Sequence, residues 1–176
     1  MSIPLYLAEI SIYFIGFVML TAAWSKTKSY HHFTESLVSS FHLSKTLSKL
    51  LAPLVIILEW SLALILLTKL FPPQLAMQIS LLLLSIFTLV VLFLLIKHEV
   101  VKCNCFGEES RPISIFDLIR NLGFIASIIF YLVYSNSDAE LSIEVSILLA
   151  SLAIIMTIIS VNFHEMVSML KSQGEH

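Results

Sequence analysis

The chain has 176 residues, of which 58% are hydrophobic and 12% charged, with net charge -2 and mean hydropathy +0.95. A soluble domain runs about 45–50% apolar and about 25% charged, so an ordinary soluble globular protein is excluded and lipid is the solvent for most of this chain. Ten basic residues against twelve acidic ones remove the basic excess that drives nucleic-acid binding, and four glycines and five prolines argue against low complexity or a long flexible linker.

A bilayer core of about 30 Å takes about 20 apolar residues in a helix, and five stretches meet that need: residues 3–24, 50–70, 75–96, 113–135 and 143–164. The expectation is an all-α polytopic membrane protein. The first stretch lacks a basic leader and its apolar run exceeds the ~7–15 residues of a signal peptide core, so it is read as a retained helix. Glu9 sits in its first two turns and is assigned only to snorkelling or protonation, and Lys26 ends the stretch.

Between the first two stretches, Phe33, Leu37 and Phe41 recur every four residues with Val38 alongside, among Ser, Thr, His and Lys. That pattern predicts an amphipathic interfacial helix within residues 28–42. The second stretch carries Glu59 nine residues in, and Phe71-Pro72-Pro73-Gln74 ends it in a tight turn to the third.

The connection to the fourth stretch holds the only cysteines, in Cys103-Asn104-Cys105-Phe106-Gly107. Chance places two cysteines this close roughly once in ninety arrangements. A Cys-x-Cys disulfide closes a small ring away from relaxed geometry, which favours exchange over stapling. The pair precedes a helix start marked by Pro112 and by Ser114 three residues before Asp117, the spacing of a capping box. A helix dipole and nearby Lys102 would lower a thiol pKa there. Metal is the competing use: two thiolates suit Cu(I), or half a zinc site completed by His98, His31 or His32.

Asp117, Arg120 and Asn121 share one face of the fourth stretch and, with Glu59 and Lys26, are counted from the end that carries the cysteines. Charges at mid-span are unfavourable by about 2.5–3.5 kcal/mol each, so they should face one another inside a bundle. Two mutually paired sets, Asp117 with Arg120 and Glu59 with Lys26, would also serve folding without chemistry. No phosphate-binding glycine loop, catalytic triad pattern or HExxH motif occurs. Eight of the ten basic residues fall on the connections and tail of one face, and only Lys69 on the other. Counting positive charge puts the Lys-rich face, with the cysteines, in the cytoplasm.

The Cys-x-Cys-Phe-Gly run, followed by Arg120-Asn121 in the next helix, resembles the MauE (methylamine utilisation protein E) family of DoxX-like, redox-associated membrane proteins. Lys26 after small residues in the first span and Glu59 in the second also fit, over roughly residues 3–134. The resemblance implies a four-helix core with an added fifth span in a bacterial inner membrane. It implies a role in maturing periplasmic redox proteins, in the family the small subunit of methylamine dehydrogenase, beside a thioredoxin-like partner. It puts the thiols at the outer face, against the charge count.

The architecture is also similar to vitamin K epoxide reductase, but the long connection here holds no second cysteine pair. An internal relay is therefore excluded, and electrons must be exchanged with an outside thiol protein or a quinone-like carrier. The expected function is thiol–disulfide exchange through Cys103 and Cys105, supported by Lys26, Glu59, Asp117, Arg120 and Asn121. A Cu(I)-handling protein and a non-enzymatic assembly factor are the alternatives.

Overall fold

The computed structural model describes residues 3–41, 44–97, 114–134 and 142–162, and these form helices without strands. They are α1 (Ile3–Lys28), α2 (Tyr30–Phe41), α3 (Lys45–Thr68), α4 (Pro73–Ile96), α5 (Ile115–Tyr134) and α6 (Ile143–Val161). All but α2 are long and apolar enough to cross a membrane. The polytopic all-α reading holds, with shifted ends. The first helix continues past residue 24 to Lys28, and the last stops at Val161. Basic Lys26 and Lys28 complement the C-terminal dipole of α1, which favours the extra turn.

Four helices close a ring: α1 packs on α3 and α5, and α4 packs on the same two. The fifth span, α6, lies against α1 outside that ring. With α2 also touching it, α1 has neighbours on nearly every side. Its sequence is accordingly apolar all round, as a buried helix requires. Ile15, Val18 and Met19 of α1 meet Leu66, Met77, Phe124 and Ile128 in one core cluster. The outward side chains of the other spans, such as Leu89, Ile147 and Ile155, are exposed large hydrophobics, which only lipid solvates well.

Antiparallel α1 and α3 come closest at Gly16. A Cβ there would sit 2.9 Å from Leu67 Cδ2 and 3.3 Å from Leu66 Cβ, so glycine permits the approach. The predicted interfacial helix exists as α2, but its apolar stripe does more than face the bilayer. Phe33 and Leu37 are buried against Ala52 and Ile56 of α3. Two polar contacts hold it there. The Ser48 hydroxyl donates to the Thr34 carbonyl at 2.7 Å. Pro53, inside α3, has no N–H to offer the Lys49 carbonyl four residues back, and the Tyr30 hydroxyl of α2 lies 3.4 Å from that oxygen. A helix defect in α3 thus becomes a docking point for α2.

Candidate functional site

Lys26 and Glu59 form the most enclosed ion pair among the described residues. Nζ lies 2.5 Å from Oε1, and the side chains are 2% and 3% exposed. The antiparallel register of α1 and α3 brings the two together. Phe33 of α2 and Phe87 of α4 present their rings to the ammonium at 5.5 and 5.0 Å. Four helices therefore converge on one cation, whose charge is met by a carboxylate and two π faces. Beside it, Trp24 and Trp60 meet edge to face with centroids 6.3 Å apart, and the Trp60 indole N–H donates to the Thr27 hydroxyl at 3.3 Å. Tryptophan of this kind sits at headgroup level, so the pair lies just below the membrane surface. The second oxygen of Glu59, Oε2, is enclosed with no hydrogen-bond partner among the described residues.

The polar residues of α5 divide in two. Asp117 is engaged by its own helix start: its Oδ2 accepts the Ser114 N–H at 3.0 Å and the Ser114 hydroxyl at 3.3 Å, while Oδ1 lies 3.3 Å from Arg120 Nη2. The capping-box spacing is realised, and it accounts for much of what Asp117 does. Asn121 is buried, with Oδ1 enclosed and unpartnered among the described residues.

Counting from one end suggested that all five polar residues lie level, and the packing corrects this. The Phe14 and Phe124 rings meet at 5.6 Å. Antiparallel α1 and α5 then place Asn121 near residue 17 of α1, about two turns deeper than Lys26.

A second ion pair, which the sequence reading missed, stands at the opposite end. Glu9, assigned there only to snorkelling or protonation, bonds the Lys69 ammonium. That ammonium also lies 4.9 Å from the Tyr13 ring centre. The usable signal was that Lys69 and Glu9 carry opposite charges at matching ends of neighbouring antiparallel spans. Lys69 follows α3 in the left-handed conformation, φ 53°, normally a glycine position. Its N–H still closes the helix on the Ile65 carbonyl at 2.9 Å. The side chain's hold on α1 offsets the backbone strain.

Burial alone would pull the Lys69 pKa down, but the hydrogen bond and charge of Glu9, with Tyr13, push it above the ordinary lysine value. A raised folded-state value means the pair contributes fully below the unfolded lysine value of about 10.4 and is lost only as the pH climbs through the folded one. Lys69→Gly relieves the strain while losing the pair, whereas Lys69→Ala keeps the strain and loses the pair. The alanine variant should therefore be the less stable by about 1 kcal/mol in thermal unfolding in detergent. Equal stabilities would show that φ 53° is unstrained.

Cys103 and Cys105, with Lys102 and His98, lie outside the described residues. Their segment joins α4 to α5, at the end that carries Lys26 and Glu59. His31 and His32 lie on the exposed face of α2 beside Glu35, with Nδ1 at 3.4 and 3.9 Å from its carboxylate oxygens. An apolar groove of about 510 Å³, lined by Leu62, Ile65, Phe71, Pro72 and Leu75 among others, lies at the turn between α3 and α4. It is at the other end of the bundle from the cysteine segment.

A family model described as Methylamine utilisation protein MauE matches residues 4–134, from the start of α1 to the end of α5. No curated protein and no solved structure matches the chain.

Proposed function

Since the chain belongs to the MauE family, a family of methylamine-utilisation membrane proteins, we propose that it is a membrane thiol–disulfide protein whose working groups are Cys103 and Cys105. The observation that carries this reading is their Cys-x-Cys spacing in the segment leading to the capped start of α5. A thiolate of a thioredoxin-like partner attacks the Cys103–Cys105 bond and forms a mixed disulfide. The partner's second thiolate resolves it, leaving the partner oxidised and both cysteines reduced. The oxidised partner then forms disulfides in a client redox protein. Re-oxidation of the pair passes two electrons and two protons to the disulfide of a further thiol protein or to a quinone-like carrier.

Lys26, Glu59, Asp117 and Arg120 toward this end of the bundle, with Asn121 deeper in it, take supporting roles. They position the segment and hold charge and protons near it. The partner belongs to the outer face of a bacterial inner membrane on this reading.

In cells, Cys105→Ser should accumulate a mixed disulfide with a partner protein that is absent from the Cys103→Ser/Cys105→Ser chain. An impermeant maleimide applied from outside should label the reduced pair. If neither single variant yields an adduct under mild oxidation, the exchange role is wrong; if labelling occurs only from the cytoplasm, the partner's compartment is wrong.

A further inference from the structure

Most hydroxyls within the spans satisfy themselves by donating to a carbonyl one turn back: Ser11 to Leu7 at 2.9 Å, Thr88 to Leu84 at 2.6 Å, Thr157 to Ala153 at 2.8 Å. Two enclosed serines do not. Ser25 Oγ and Ser80 Oγ have no hydrogen-bond partner among the described residues, and neither have Glu59 Oε2 and Asn121 Oδ1. These four atoms come one each from α1, α4, α3 and α5, the four helices of the closed ring. An enclosed polar group without a partner is unfavourable by about 1–3 kcal/mol, and a bilayer offers no relief from outside.

Their heights form a sequence. Ser25 and Glu59 flank Lys26 near the membrane surface. Phe87 reaches the Lys26 ammonium, and Ser80 precedes Phe87 by two turns of α4, about 10 Å. The Phe14–Phe124 contact sets Asn121 at a similar depth. The Asp117–Arg120 pair lies between the two levels along α5.

We propose that the interior of the four-helix ring binds a short file of water molecules that runs from the Lys26–Glu59 pair down to Asn121 and Ser80. The track is blind, ending at mid-bundle and opening toward the end that carries Cys103 and Cys105. Water can both donate to the carboxylate and amide oxygens and pair with the serine hydroxyls, and it is small enough for an enclosed site. Such a file lets protons move between Glu59 and the middle of the bundle. The proposal stands on the packing of the ring and does not depend on the thiol reading.

The test uses the Cys103→Ser/Cys105→Ser chain in vesicles, with Ser80→Cys, Asn121→Cys or Ala63→Cys added. All three positions are buried, and Ala63 lies in the apolar core of α3. Hydrogen peroxide, little larger than water, follows a water track and oxidises thiolates, so the first two variants should be converted to sulfenic acid, read by mass spectrometry, at least about tenfold faster than the third. Rates at either position no faster than at Ala63→Cys overturn the proposal.

Should these variants fail to fold, radiolytic footprinting of the unmutated protein gives the same answer. Met77 and Phe124, each within one turn of the blind end and essentially unexposed, should be oxidised alongside exposed Trp24. Oxidation of Trp24 without either of them refutes the water file.

Discussion

Lys26→Ala should destabilise the protein by about 3–5 kcal/mol, measured by thermal or denaturant unfolding in nanodiscs, because it leaves Glu59 as an enclosed charge without its cation. The ammonium has no alternative fate in the native chain: one carboxylate oxygen holds it at 2.5 Å and two aromatic rings cover it. Removing both charges behaves differently. Lys26→Met with Glu59→Leu keeps the volume, needs no desolvation, and should recover most of the loss.

That double variant also separates folding from chemistry. If the pair only made the bundle tolerable, the stable double variant would exchange disulfides with its partner at the native rate. On the function proposed above, the rate falls while the fold is kept. A double variant as unstable as Lys26→Ala would show that the aromatic box, rather than the charge balance, controls stability.

The second large effect is expected at Gly16. Leucine there cannot be absorbed, because the first carbon added already meets Leu67 at 2.9 Å and the enclosed backbone-proximal carbon of Leu66 at 3.3 Å. Overpacking of this kind destabilises by typically about 1–3 kcal/mol. Position 16 adds leverage. It lies between Glu9 and Lys26, so prising α1 from α3 loosens an ion pair on each side of the wedge.

Gly16→Leu should therefore fall at or above the upper end of that range. Gly16→Ala, whose Cβ meets Leu67 Cδ2 at 2.9 Å, Leu67 Cγ at 3.0 Å and Leu66 Cβ at 3.3 Å, should destabilise by less than leucine, its clash partly offset by about 1 kcal/mol of helix propensity. Combining Gly16→Leu with Leu67→Ala should restore part of the loss. No restoration would place the clash elsewhere.

How much of this was legible in the sequence differs by element. Span number, the tight turn at Pro72-Pro73 and the amphipathic stripe of Phe33 and Leu37 follow from hydropathy and periodicity, which are local. Asp117 capping Ser114 is local as well, and the spacing reveals it. The pairing of Lys26 with Glu59 could be anticipated because two charges inside lipid must find each other.

Other features were not legible because they depend on register between helices far apart in sequence. Glu9 and Lys69 are sixty residues apart, and a lysine beside a proline turn reads as an ordinary surface anchor. The close approach at Gly16 and the roles of Phe33 and Phe87 over the Lys26 ammonium have no one-dimensional signature. The depth of Asn121 failed for the same reason: counting residues from a span end ignores how neighbouring helices slide.

The position of α6 carries a consequence for how the protein is made. The ring of α1, α3, α4 and α5 is closed without it, and the family match stops where α5 does. A ribosome releases these segments in order, so the ring can settle in the membrane while α6 is still being synthesised. Until then α1 keeps the flank later taken by Leu149 and Ala153 turned toward lipid. A later span thus covers the side of an earlier one that the other helices left bare.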